Sequence, residues 1–144
     1  MKILLAFRDL GASTRLKRLV RRLPDVRVVG ETSTGRGAIR LARKARPAVA
    51  LIGSTLREPG CLETIRIIKT NQPRTQFIVL TVRHTQAQVR AARRSGANYC
   101  LPVRTLDLRL PSLIVLAYRD YLAAAAQKAP RTRRRRQRTS ESGR

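Results

Sequence analysis

The chain has 144 residues, 42% of them hydrophobic, which is enough for one domain with a core of its own. No apolar stretch approaches the length of a membrane span, and the opening M-K-I-L-L-A-F stops being apolar at Arg8, too short for a signal peptide. A cytoplasmic protein without membrane contact is expected. Thirty-two Lys and Arg against eight Asp and Glu leave a net charge of +24, a balance that raises self-repulsion and favours polyanionic partners.

Apolar strands and amphipathic helices alternate along the chain. Ile3 to Phe7 reads as a strand. Ser13 to Leu23 reads as a helix, with Ser13 as N-cap, Leu16, Leu19, Val20 and Leu23 on one face and Arg15, Arg18, Arg21 and Arg22 mostly elsewhere. Pro24-Asp25 breaks it, and Val26 to Gly30 is a short strand. Gly37 to Ala45 is a second helix, stopped near Pro47, and Ala48 to Ile52 a third strand. Leu62 to Lys69 is helical, with Leu62, Ile65 and Ile68 inward, and Phe77 to Val82 is the most apolar strand. Thr85 to Ser95 is a helix ending at Gly96, a natural C-cap. Tyr99 to Leu101 is a brief fifth strand, and Ser112 to Ala126 the last helix. This order predicts a (βα)5 three-layer parallel α/β sandwich over residues 1–128.

Residues 129–144 differ in composition. From Pro130 onward there are seven Arg and one Glu and almost nothing to bury, so a disordered Arg-rich tail is expected. Arg131, Arg133, Arg134, Arg135, Arg136 and Arg138 are its candidate polyanion contacts. Cys61 and Cys100 have neither metal-site nor disulfide-framework spacing and are read as free thiols. No internal repeat is apparent.

The run A-V-A-L-I-G-S, Ala48 to Ser54, raises a sharper question. In open parallel sheets, ligands and chemistry gather at the C-terminal ends of the strands. This strand ends in Gly53 and a neutral Ser54, with nothing charged or strongly nucleophilic.

The element order, over roughly residues 1 to 125, resembles the response-regulator receiver domain of the NarL/FixJ type. K-I-L-L-A looks like its first strand, and P-D-V-R-V-V-G-E its helix-to-strand junction. A-I-R-L-A-R-K-A-R-P fits its second helix, F-I-V-L-T ends in Thr81 where the family keeps a switch hydroxyl, and S-G-A-N-Y looks like the approach to its fifth strand. The resemblance implies a flavodoxin-like fold and a place in two-component (phosphorelay) signalling and transcription regulation. It also implies a site: an Asp ending the third strand takes the phosphoryl group, an acidic pair after the first strand holds Mg²⁺, and a Lys follows the fifth strand. Here those positions are Gly53, Phe7 with Arg8, and Val103 beside Arg104, while Asp9 comes one residue late. Of the family's set, Thr81 is retained.

Phosphoryl transfer of this kind needs a carboxylate nucleophile and oxygen ligands for a hard cation. Gly53 and Phe7 supply neither, and Arg8 would repel the cation, so no enzyme activity, no cofactor and no Mg²⁺ at that site are expected. Arg8 could instead hold a small anion with Thr81, or simply face solvent. Ser54 and His84 lie on converging loops and could approach each other, but no third orienting acid is evident and G-S-T-L-R is no nucleophile elbow.

Basic residues coat the first four helices without interleaved stacking aromatics, and no helix-turn-helix follows the last helix. That helix carries L-I-V-L-A-Y, apolar all the way round, and receivers commonly dimerise through this region. Leu113, Val115 and Tyr118 are therefore candidate dimer contacts. The reading is a degenerate, phosphorylation-independent receiver acting as a regulatory binding and dimerisation module, with a second copy and an acidic partner as contacts. The alternative is a nonspecific nucleic-acid-binding protein that uses the basic surface and tail on a receiver scaffold.

Overall fold

Strands that are apolar on consecutive residues must be covered on both faces. β1 (Lys2–Ala6), β3 (Val49–Gly53) and β4 (Gln76–Thr81) are such strands, and all but Lys2 of their residues are buried. With β2 (Arg27–Thr32) and β5 (Tyr99–Pro102) they form one parallel sheet in the order β2-β1-β3-β4-β5. The computed structural model describes residues 1–142, with side chains for residues 1–127 other than Leu10.

Side chains alternate across the sheet and feed two separate cores. Ile3, Leu5, Val49, Leu51, Ile78 and Leu80 point toward α1 (Leu10–Arg21) and α5 (Leu106–Ser142), where Leu16, Val20, Leu110 and Ile114 meet them. Leu4, Ala6, Ala50, Ile52, Phe77 and Val79 point the other way. There α2 (Gly35–Ala45), α3 (Cys61–Asn71) and α4 (Gln86–Ser95) supply Ala38, Ala42, Ile65, Ile68 and Ala92. The fold is thus the expected three-layer sandwich of five parallel strands and five helices.

Several local expectations are corrected. α1 starts at Leu10, not Ser13: the Asp9 carboxylate accepts the Gly11 N–H at 2.9 Å and caps the helix, while Ser13 is buried inside it and donates to Glu31. α5 starts at Leu106, six residues before Ser112. Leu106, Leu110, Ile114 and Ala117 are all buried at helical spacing, and that packing carries the helix through Pro111 despite the missing N–H. Leu62 faces solvent, and the inner face of α3 is Cys61, Thr64, Ile65 and Ile68. β4 ends at Thr81, leaving Val82 71% exposed. The expected tail, residues 129–144, lies outside the residues whose side chains are described.

Gly96 caps α4 at φ +112°, as its sequence position predicts. Arg46 caps α2 in the same left-handed region, at φ +49°, with its N–H on the Ala42 carbonyl.

Candidate functional site

The order β2-β1-β3 reverses the direction of sheet growth between β1 and β3, and a crevice opens at the C-terminal ends of strands at such a point. Register then decides which residues meet there. Ala6 pairs with Ile52, so the next residues, Phe7 and Gly53, emerge side by side. Gly53 pairs with Leu80 on its other flank, and Thr81 with Pro102.

Phe7 does not project into solvent. It is 5% exposed and belongs to the core between the sheet and α1/α5. Its ring lies against the bare Cα of Gly53: a Cβ there would stand 2.7 Å from Phe7 Cδ1 and 3.2 Å from Cε1. Small residue and large ring fill one another's space across two strands, so the ring occupies the direction that a side chain ending β3 would take.

A cavity of about 150 Å³ remains beside this contact, and Phe7, Arg8, Gly53 and Val103 all line it. The structure thus gathers four of the five positions singled out from the sequence. The carboxylate at the cavity is that of Asp9, committed to capping α1. Arg8 at the rim is exposed, and Arg104, after Val103, faces solvent. Among the described residues no group of three or more His, Cys, Asp and Glu is arranged to hold a metal ion.

Thr81 stands apart from these four. It is buried, lines a second cavity of about 140 Å³ with Ser54, Cys61 and Gln88, and its Oγ1 is 2.9 Å from His84 Nδ1. Ser54 and His84 do not pair. The Ser54 Oγ accepts the Val82 N–H at 3.4 Å, and the His84 ring is held by Thr81. A Ser-His nucleophile therefore has no geometry here.

The thiols are free, and burial pushes Cys61 up to about 12, with a smaller contribution from Cys100. Burial also raises Cys100. Neither is poised as a nucleophile. Behind the site, Lys17 and Ser13 hydrogen-bond the Glu31 carboxylate and lower its pKa, Lys17 more strongly. Tyr99 donates to Asp120 of α5, and that bond, aided by burial, pushes the phenol up to about 12.

The three candidate dimer contacts separate. Leu113 and Tyr118 are half-buried against the chain's own core, Tyr118 stacking on Tyr121 at 6.2 Å. Val115 is 49% exposed. The outer apolar stripe of α5 is Leu108, Val115 and Leu122 at seven-residue spacing, with Leu116 beside it. Leu108 and Leu122 flank the apolar run Leu113 to Tyr118, and Leu108 also precedes Ser112, where the sequence places the helix start. The basic coat is largely as expected, although Lys69 turns inward over the Phe77 ring at 5.8 Å. The six tail arginines lie beyond the described side chains.

No family model matches the chain. It is 29% identical, over 85 residues, to the nitrate/nitrite response regulator protein NarL of Escherichia coli K12; the match covers 59% of this chain and 39% of that protein. The chain therefore spans about two fifths of the length of that curated relative. Among solved structures, the signal receiver domain of the response regulator NarL from Mycobacterium tuberculosis superposes with a TM-score of 0.77 at 18% identity, covering 82% of this chain and 95% of that one. A LuxR-family two-component response regulator from Aurantimonas also gives 0.77, at 24% identity, covering 81% and 84%. The fold is that of a receiver domain. No helix among the described residues is long and apolar enough to cross a membrane.

Proposed function

We propose that the chain is a receiver-type regulatory module, of the response-regulator signalling class that its relatives' names carry, and that it works without phosphoryl transfer. The observation that carries this reading is the Phe7–Gly53 contact. A phospho-acceptor needs a carboxylate projecting from the end of β3, and a hard cation needs oxygen ligands after β1. Here a phenyl ring fills the first place and a guanidinium stands near the second. Protein contacts, not covalent state, then carry the signal. A second copy is the expected partner of the outer stripe of α5, whose seven-residue spacing suits a helix-pair seam. The arginine cluster from Arg131 to Arg138 adds a polyanion contact.

Incubation with acetyl phosphate and Mg²⁺ tests the reading. Intact mass should stay unchanged. Stoichiometric, acid-stable and base-labile phosphate on the chain would sink the proposal.

A further inference from the structure

α2 carries Arg36, Arg40 and Arg43 at positions i, i+4 and i+7, and so on one face. At 1.5 Å of rise per residue they span about 10 Å. They border a groove of about 340 Å³ whose floor is Ile39 of α2, Pro59 and Ile67 of α3. All three arginines are exposed. Among the described residues the ion pairs are Arg15–Asp107 and Lys17–Glu31, so none of the three has a carboxylate partner, although Glu58 and Glu63 lie on the adjoining loop and helix.

The groove is preformed. The Gly35 and Arg36 N–H groups donate to the Arg57 and Glu58 carbonyls, both at 2.8 Å. Gly35 is pressed so close to the chain before α3 that an added Cβ would stand 2.3 Å from the Pro59 carbonyl oxygen. The N-terminal ends of both helices are thereby locked together, and the arginine row is held over a fixed apolar floor.

We propose that this groove receives an acidic peptide segment of a partner protein. Its carboxylates pair with Arg36, Arg40 and Arg43, and one aliphatic side chain rests on Ile39, Pro59 and Ile67. The inference rests on the reading of the chain as a binding module and adds the chemistry of its partner. Arginine suits the role, because its planar fork meets a carboxylate with two parallel hydrogen bonds. A nucleic-acid backbone would use the arginines and leave the apolar floor idle, and no aromatic side chain lines the groove to stack a base.

Fluorescence anisotropy of the full chain at physiological salt tests this with three probes: a short labelled peptide of Asp and Glu with one central Leu, its Leu→Ser copy, and a short DNA duplex. The Leu peptide should bind about tenfold more tightly than the Ser copy, the effect of burying part of one aliphatic side chain. Replacing Arg36, Arg40 and Arg43 together by Gln should weaken it by about tenfold or more. The same charge removed from α4, as Arg90→Gln, Arg93→Gln and Arg94→Gln, should leave it within about twofold. Ile67→Ser should weaken the Leu peptide and not the Ser copy. Circular dichroism checks that each variant is folded, and Ile67→Thr repeats the floor test should the Ser variant not fold. Equal binding of the two peptides overturns the proposal, as does equal loss from the α2 and α4 sets. Preference for the duplex with no response at Ile67 also overturns it and assigns the arginines to nucleic acid. Failure here leaves the acetyl phosphate result untouched, so the two readings fail separately.

Discussion

Gly53→Ala isolates the contact on which the site depends. The new methyl would stand 2.7 Å from Phe7 Cδ1, closer than packed carbons come, so the buried ring has to shift to admit it. Such overpacking costs about 1–3 kcal/mol. Against it, Ala in a strand gains about 0.5–1 kcal/mol over Gly from the unfolded chain. The single variant is therefore expected to lose up to about 2.5 kcal/mol, the remainder of these opposing effects. Phe7→Val removes Cδ1 and Cε1 and retains carbon no farther out than the γ position, where Phe7 Cγ lies at an ordinary 3.7 Å. In that background the same methyl fills vacated space, and Gly53→Ala should be neutral or stabilising. A double-mutant cycle from urea unfolding should give a coupling of about 1–3 kcal/mol. At an m-value of about 2 kcal/mol/M this separates the midpoints by about 0.5–1.5 M. Additivity within about 0.5 kcal/mol would refute the claim that Phe7 occupies the side-chain direction of Gly53.

Three further outcomes follow from particular residues. Val115→Glu places a charge on the outer stripe of α5 and should convert a dimer to a monomer in light scattering at moderate salt, where the repulsion of +24 per chain is screened; a wild-type monomer at high concentration contradicts the seam. Arg46→Gly relieves a left-handed backbone at an exposed helix end and should stabilise by about 1 kcal/mol, raising Tm by roughly 3 °C; a fall in Tm would mean that the Arg side chain holds something of its own. Glu31 is held below the ordinary carboxylate range by Lys17 and Ser13, so its stabilisation is present above its unfolded pKa and disappears as pH falls through the lower folded value. Glu31→Gln should thus be less stable than wild type by about 0.2–1 kcal/mol at neutral pH, with the gap closing in acid, and a gap that persists at low pH would rule out ionisation as its cause.

The order of strands and helices was legible because the apolar runs at Ile3, Val49 and Phe77 are too short for buried helices and suit strands covered on both faces, and the helices between them show clean stripes. The helix ends were less so. Ser13 reads locally as a cap, but its burial places it inside α1 and leaves the cap to Asp9, a tertiary fact. Pro111 reads locally as a start signal, and the packing of Leu106 and Leu110 overrides it. The positions at the strand ends were nameable from element order alone. Their interlock was not, since Phe7 and Gly53 are far apart in sequence and meet through register. The α2 groove was hidden for the same reason: its arginines sit on one helix, and the floor beneath them comes in part from Pro59 and Ile67.

On the proposed reading, the end of β3 takes no phosphoryl group. The most direct measurement is a titration of the ¹⁵N-labelled chain with beryllofluoride and Mg²⁺, followed by amide spectra at Gly53, Ser54 and Thr81. No saturable shift is expected, in the wild type or in Gly53→Asp, because Phe7 and Arg8 still deny the cation its ligands. A saturable, Mg²⁺-dependent shift of those three amides in the wild-type chain would contradict it.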